Sequence, residues 1–272
     1  VVVTEIKRNM EALSKAKLAY YRELLQKKQR RLRKEFLVEG VRLCKEALRQ
    51  KNRVSILILT DKFFMHEQSH EILQQAKEQN IVLYTTTQES LNKLTDTCNP
   101  QTIVACVRQE NMIASTEYFQ AQRFLVLYDI SDPGNIGTLL RTAEAFGWNH
   151  VILLGDTTEI YNPKIIRASM GAFFRIQIIC LTLEKCLSYF QENHVHIFLT
   201  MPHAKTKFSL PPSSEKIALI LGSEAHGLPP SLQEQNVQEI CIPMTPQVES
   251  LNVAIAGGIL LYELRDKTKT IE

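Results

Sequence analysis

Phe124-Leu-Val-Leu-Tyr128-Asp-Ile-Ser-Asp132-Pro-Gly-Asn135-Ile-Gly-Thr-Leu-Leu-Arg141 reads as an apolar strand, a turn and the start of a helix. Asp, Pro, Gly and Asn build the turn. Asn135 is read as the helix cap, and Gly137 lets backbone approach closely. Arg141 is expected within the first two turns, a place where a helix N-terminus and an arginine suit an anion. Outward from this stretch the same alternation repeats. Apolar runs recur at Val151–Leu154, Ile176–Ile179, His196–Thr200, Ile217–Leu221 and Glu239–Ile242, with helices between them and a long apolar helix, Leu251–Leu264, at the end. Short apolar runs alternating with helices predict an α/β fold whose mostly parallel sheet is covered on both faces.

The upstream part carries a second, smaller α/β pattern. Residues 5–34 have helical spacing, Phe36-Leu-Val-Glu-Gly40 is a strand entering a turn, and Val41–Arg49 is helical again. Ser55–Thr60, Ile81–Tyr84 and Gln101–Val107 read as strands, with helices near 67–79 and 87–94. The expected division is therefore residues 1–108 as one domain, 109–121 as a linker without a clear period, and 122–272 as the second domain.

The 272 residues are 44% hydrophobic and 22% charged, enough for two cores and too apolar for a disordered chain. No apolar run reaches the ~18 residues needed to cross a bilayer, so no membrane partner is expected. The start, Val1-Val-Val-Thr-Glu, shows no signal peptide, and a start at Val reads as a trimmed chain or a fragment. Six cysteines without CxxC pairs argue against a zinc site or disulfide framework and fit a reducing compartment, so no metal is expected. The formal charge of +3 hides an asymmetry: residues 1–53 hold sixteen of the 32 Lys and Arg against six acids. The densest run, Lys27-Lys28-Gln-Arg30-Arg31-Leu-Arg33-Lys34, is an electrostatic footprint for phosphates.

Two further stretches also follow strands, where ligands of open α/β sheets sit. In Gly222-Ser-Glu224-Ala-His-Gly227-Leu-Pro229, Gly222 would let a planar ligand meet the backbone, and Glu224 would accept hydrogen bonds. The pattern is neither GxGxxG nor a Walker motif, so a dinucleotide site is not supported. In Ile242-Pro-Met244-Thr-Pro-Gln-Val-Glu-Ser250-Leu-Asn252, Ser250 is read as the cap of the last helix. The small residues Ala254-Ile-Ala-Gly-Gly258 on that helix invite close packing.

The three stretches together resemble the motifs of the SpoU/TrmH branch of the SPOUT methyltransferases. Arg167-Ala-Ser-Met-Gly171-Ala-Phe-Phe-Arg175 is similar to the block between the first and second motifs. Phe36-Leu-Val-Glu-Gly40 resembles the opening of the substrate-binding domain, itself similar to ribosomal protein L30e, that precedes the catalytic domain in many members. The resemblance implies an α/β domain with a C-terminal trefoil knot, preceded by a small L30e-like domain. It implies S-adenosylmethionine held at Thr200, Met201, Gly222, Ile242, Met244 and Leu251. Arg141 would be the central catalytic residue, supported by Asn135, Glu224, Ser250 and Asn252. The reaction implied is methylation of a ribose 2′-hydroxyl, in ribosomal rather than transfer RNA, by a homodimer in the cytoplasm or inside an organelle. Lys27, Lys28, Arg30, Arg31, Arg33 and Lys34 would bind the RNA. A non-catalytic RNA-binding protein and a base-methylating SPOUT enzyme are the alternatives. Pro246 and Ala254 depart from the family pattern, which commonly has Gly and Ser there.

Overall fold

Residues 10–97, 101–112, 118–201, 215–223, 228–229, 232 and 237–266 are described by a computed structural model. The chain forms two compact units that do not follow chain order. One comprises Val1–Glu110 with Glu159–Phe174, the other Asn111–Thr158 with Arg175–Glu272. The pattern of strands and helices gives no hint of the Glu159–Phe174 excursion.

The second unit is built on six strands: β6 (Arg123–Tyr128), β7 (His150–Leu154), β8 (Gln177–Cys180), β9 (His196–Thr200), β10 (Ile217–Leu221) and β11 (Val237–Ile240). They lie in the order β11-β9-β10-β6-β7-β8, and every neighbouring pair is parallel. Burial on both faces explains the unbroken apolar runs: Phe124, Val126, Ile152, Phe190 and Ile220 share one core, while the alternate positions Leu125, Leu127 and Leu153 are buried as well. Each such side chain contributes roughly 1.5–3 kcal/mol of burial. Leaving β6, the chain adds β7 and β8 on one side, then returns to place β10 on the other. This reversal beside β6 is the topological switch point at which α/β sheets open a ligand crevice. The strand expected at Glu239–Ile242 lies two residues earlier, so Cys241 and Ile242 have already left the sheet.

The first unit has a five-stranded mixed sheet. With β1 (Glu11–Ala12), β2 (Glu35–Glu39), β3 (Val54–Thr60), β4 (Val82–Thr86) and β5 (Ile103–Arg108), the order is β1-β4-β3-β5-β2. β5 runs antiparallel to both β2 and β3. Gly40, at φ 96°, turns β2 into the helix Val41–Leu48, a conformation that explains glycine at that place in Phe-Leu-Val-Glu-Gly.

The single helix expected over 5–34 is instead several pieces, and positions 5–9 lie outside the described residues. Glu11 and Ala12 pair with β4. Ser14 then caps a helix over Lys15–Arg22, a 3₁₀ turn covers Glu23–Leu25, and a second helix runs over Lys27–Arg33. The break has a physical cause. Arg30 Nη1 donates to the carbonyls of Leu24 (2.9 Å) and Leu25 (2.8 Å), which a continuous helix would have offered to its own N–H groups. Among the described residues, no helix is long and apolar enough to cross a membrane.

The knot remains an implication of the resemblance. The chain between β9 and β10, and between β10 and β11, lies largely outside the described residues.

Candidate active site

Parallel register brings the strand ends of the second unit level with one another. Thr200 is opposite Ile240, and Leu221 is opposite Leu127. Beyond the ends of β9, β10 and β11 lies a cavity of about 280 Å³. All six positions named for the cofactor line it: Thr200, Met201, Gly222, Ile242, Met244 and Leu251, with Ser250 beside them. Its lining side chains are mostly apolar. The Thr200 hydroxyl is already spent on the Ile220 carbonyl at 3.0 Å, and Met201 N donates to Ile240 O at 2.9 Å.

The last helix, Val253–Glu263, supplies a wall that the motif reading missed. Val253, Ala256 and Leu260 face the cavity. Their i, i+3, i+7 spacing was the available signal, masked by a helix that is apolar on most faces. The small residues expected to pack closely do so. A Cβ on Gly257 would overlap Leu139 Cδ2 and come within 2.7 Å of Leu221 Cδ1, so the last helix lies close against the helix Pro133–Ala145 and the end of β10, and a larger residue there would push both leucine side chains aside. Trp148, fully buried, ties the packing down by donating from Nε1 to Leu261 O at 3.2 Å.

Both helix caps differ from expectation. Asp132, not Asn135, caps Pro133–Ala145, its Oδ1 accepting from Asn135 N at 2.9 Å. Pro133 at the first helical position fits this start. Asn252, not Ser250, caps the last helix, its Oδ1 accepting from Ala254 N (3.0 Å) and Ile255 N (3.3 Å). The displaced residues still matter. Asn252 Nδ2 donates to Asn135 Oδ1 at 3.0 Å, so the first and third stretches meet through one amide pair.

Arg141 then falls in the third turn of its helix rather than the first two. It is exposed, is not among the cavity-lining residues, and has no ion pair among the described residues. Glu224 and His226 lie outside the described residues. Pro246 sits at the second position of a turn closed by Val248 N donating to Thr245 O at 3.0 Å, a place that suits proline's fixed φ. The departure at 246 is thereby absorbed locally. Ala254, the other departure, is buried at the start of the last helix.

The basic run of the first unit divides in two. Lys27, Lys28, Arg31 and Lys34 are exposed and have no ion pair among the described residues. Arg33 is committed to Glu23 and to the Tyr20 carbonyl (2.7 Å), with its guanidinium 4.0 Å from the Tyr20 ring centroid. Arg30 is buried, paired with Glu159. The expectation that Arg30 meets RNA conflicts with this placement, because the side chain is buried and its Nε, Nη1 and Nη2 are engaged by Glu159, Leu24 and Leu25.

Comparison with known proteins identifies the family and the fold. Residues 122–262, just over half of the chain, match the SpoU rRNA Methylase family, and residues 15–105 match the MRM3-like substrate binding domain. The chain is 30% identical, over 95% of its own length and 99% of the relative's, to the 23S rRNA (guanosine(2553)-2′-O)-methyltransferase RlmP of Bacillus subtilis. It is 33% identical to an uncharacterized tRNA/rRNA methyltransferase of Synechocystis, over 90% of this chain and 88% of that one. The crystal structure of an AdoMet-bound rRNA methyltransferase from Sinorhizobium meliloti superposes with a TM-score of 0.82 at 26% identity, covering 96% of this chain and 98% of that one. The chain belongs to the SpoU rRNA methylase family.

Proposed function

We propose that the protein is an S-adenosylmethionine-dependent RNA methyltransferase that modifies a ribose 2′-hydroxyl, with ribosomal RNA as the favoured substrate. One observation carries the reading. Six positions carried over from the family, from three distant segments, line a single cavity, and the last helix that walls it packs against the helix bearing Arg141. The ribosomal preference rests on the substrate-binding domain match and on the Bacillus subtilis relative.

The cavity suits S-adenosylmethionine chemically. Its size approaches the ~300 Å³ lower end of small-molecule sites. Leu, Ile, Val and Met walls accept a flat apolar ring, and Gly222 and Ser250 leave backbone edges within reach. Bound there, the cofactor supplies an electrophilic methyl on a sulfonium. The residues around it do the rest. Arg141 faces the 2′-hydroxyl and either removes its proton with help from a neighbouring RNA phosphate or stays charged and stabilises the developing alkoxide. Asn135, fixed by Asn252, orients the substrate next to it. Ser250 borders the cavity from the third stretch, and Glu224 balances the positive charge that sulfonium and guanidinium share.

In this reading residues 1–108 bind RNA through Lys27, Lys28, Arg31 and Lys34, residues 122–272 carry the reaction, and the C-terminal segment threads a trefoil knot. The active form is a homodimer. The last helix leaves Ile255, Ile259 and Tyr262, at i, i+4 and i+7, exposed in the single chain at 56%, 40% and 46%. Such a stripe is the kind of surface a second copy covers. The protein works in the cytoplasm or in an organelle that holds ribosomes.

Transfer of labelled methyl from S-adenosylmethionine to unmodified ribosomal RNA tests the proposal. Nuclease-resistant dinucleotides carrying the label are expected. Label recovered on a base, or RNA binding with no label at all, would replace it with one of the two alternatives.

A further inference from the structure

We propose that the buried Arg30–Glu159 ion pair is a positioning device that fixes the RNA-contacting helix Lys27–Arg33 against the Glu159–Phe174 excursion, and that Arg30 is not a phosphate contact. The proposal rests on the RNA-methylating reading above.

The pair is bidentate. Arg30 Nε lies 3.0 and 3.2 Å from the two Glu159 oxygens, and Nη2 lies 2.5 Å from Oε2. Nη1 is taken by the Leu24 and Leu25 carbonyls. The two side chains are only 4% and 8% exposed. Other ion pairs of the first unit, such as Arg33–Glu23, Lys45–Glu71 and Arg167–Asp96, leave one or both side chains well exposed. A pair this buried returns little net stability, and its best-attested use is to specify register. Here the register concerns one short helix. Arg30 grips the excursion, while Lys27, Lys28, Arg31 and Lys34 on the same segment are left to solvent. Rotating the helix to free Arg30 would strand Glu159 as a buried lone charge. The grip thereby sets which way the exposed cations point.

The decisive variant is Glu159→Gln, because the two readings predict opposite signs. If Arg30 were simply one more cation for RNA, removing the carboxylate would tighten binding and Arg30→Gln would lower the salt slope by about one. If the pair positions the helix, Glu159→Gln and Arg30→Gln both raise the KM for in-vitro-transcribed 23S ribosomal RNA, by about tenfold, as misplacement does. S-adenosylmethionine affinity and the salt slope then stay as in the parent. The double variant Arg30→Gln/Glu159→Gln, which leaves no lone buried charge, is expected to fold and to be no worse than either single change. Hydrogen exchange over 159–168, read without any methyl transfer, should rise in both single variants. Unchanged KM and exchange in both, or tighter RNA binding in Glu159→Gln, overturns the positioning role. A parent protein that transfers no methyl to RNA overturns the reading beneath it, and the exchange arm still judges the pair on its own.

Discussion

The cavity beyond β9–β11, proposed for the cofactor, and the Lys27–Lys34 segment, proposed for RNA, are built on opposite principles. The cavity is lined mostly by apolar and small side chains, and the six positions that the family resemblance assigned to the cofactor line it. The basic segment offers charge, and two of its six cations are committed to carboxylates and carbonyls instead. Backbone-built sites need particular small or apolar residues at particular strand ends, and such spacing survives in sequence. Charge acts at a distance and from any side chain that reaches, so counting cations overstates those that are free.

The sharpest separation of the two regions comes from a residue in neither. Arg141→Ala should lower turnover by about a hundredfold or more while leaving both binding steps intact, as loss of a transition-state contact does. Single-turnover methylation with separate cofactor and RNA binding measurements reads this, and near-parental turnover would remove Arg141 from the reaction. Gly222→Leu should fill the cavity and weaken S-adenosylmethionine by more than about tenfold, as overpacking does, with RNA affinity unchanged. Calorimetry that finds both affinities reduced would break the comparison.

Neutralising Lys27, Lys28, Arg31 and Lys34 together should do the reverse. RNA affinity falls, and the slope of log K against log salt drops by up to about three for single-stranded contacts. The cofactor affinity should not move. Arg33→Gln alone should leave that slope unchanged, since its charge is already matched by Glu23. A modest effect on stability is expected for Asn252→Ala. Loss of the cap and of the Asn135 contact should cost about 1 kcal/mol in urea unfolding of the second unit. No loss would mean that another residue takes over the cap.

Much of the second unit was legible because parallel, doubly covered strands leave unbroken apolar runs. His196–Thr200 and Ile217–Leu221 are found at the expected bounds. The caps were harder. Asp132 and Asn135 stand three residues apart and are equally good cap types, and only Pro133 between them discriminates. The helix break at Gln26 was not legible at all, because its cause is Arg30 turning inward to Glu159, far along the chain. Gly257 gave a hint of close packing but not of its partners, Leu139 and Leu221, for the same reason. Local pattern reports local structure. Contacts between remote segments appear only when the fold supplies them.

The central position of β6 has a consequence for how the protein is made. β6 emerges early in the second unit, yet one of its edges waits for β10, and the cavity waits longer still for Ile242–Leu260. Until then a growing chain carries an open strand edge that can pair with other chains. Long-range parallel pairing is also intrinsically slow to form. The sheet edge closes first and the cavity only after Ile242–Leu260 has been made, which places the burden on whatever shields the chain while it leaves the ribosome.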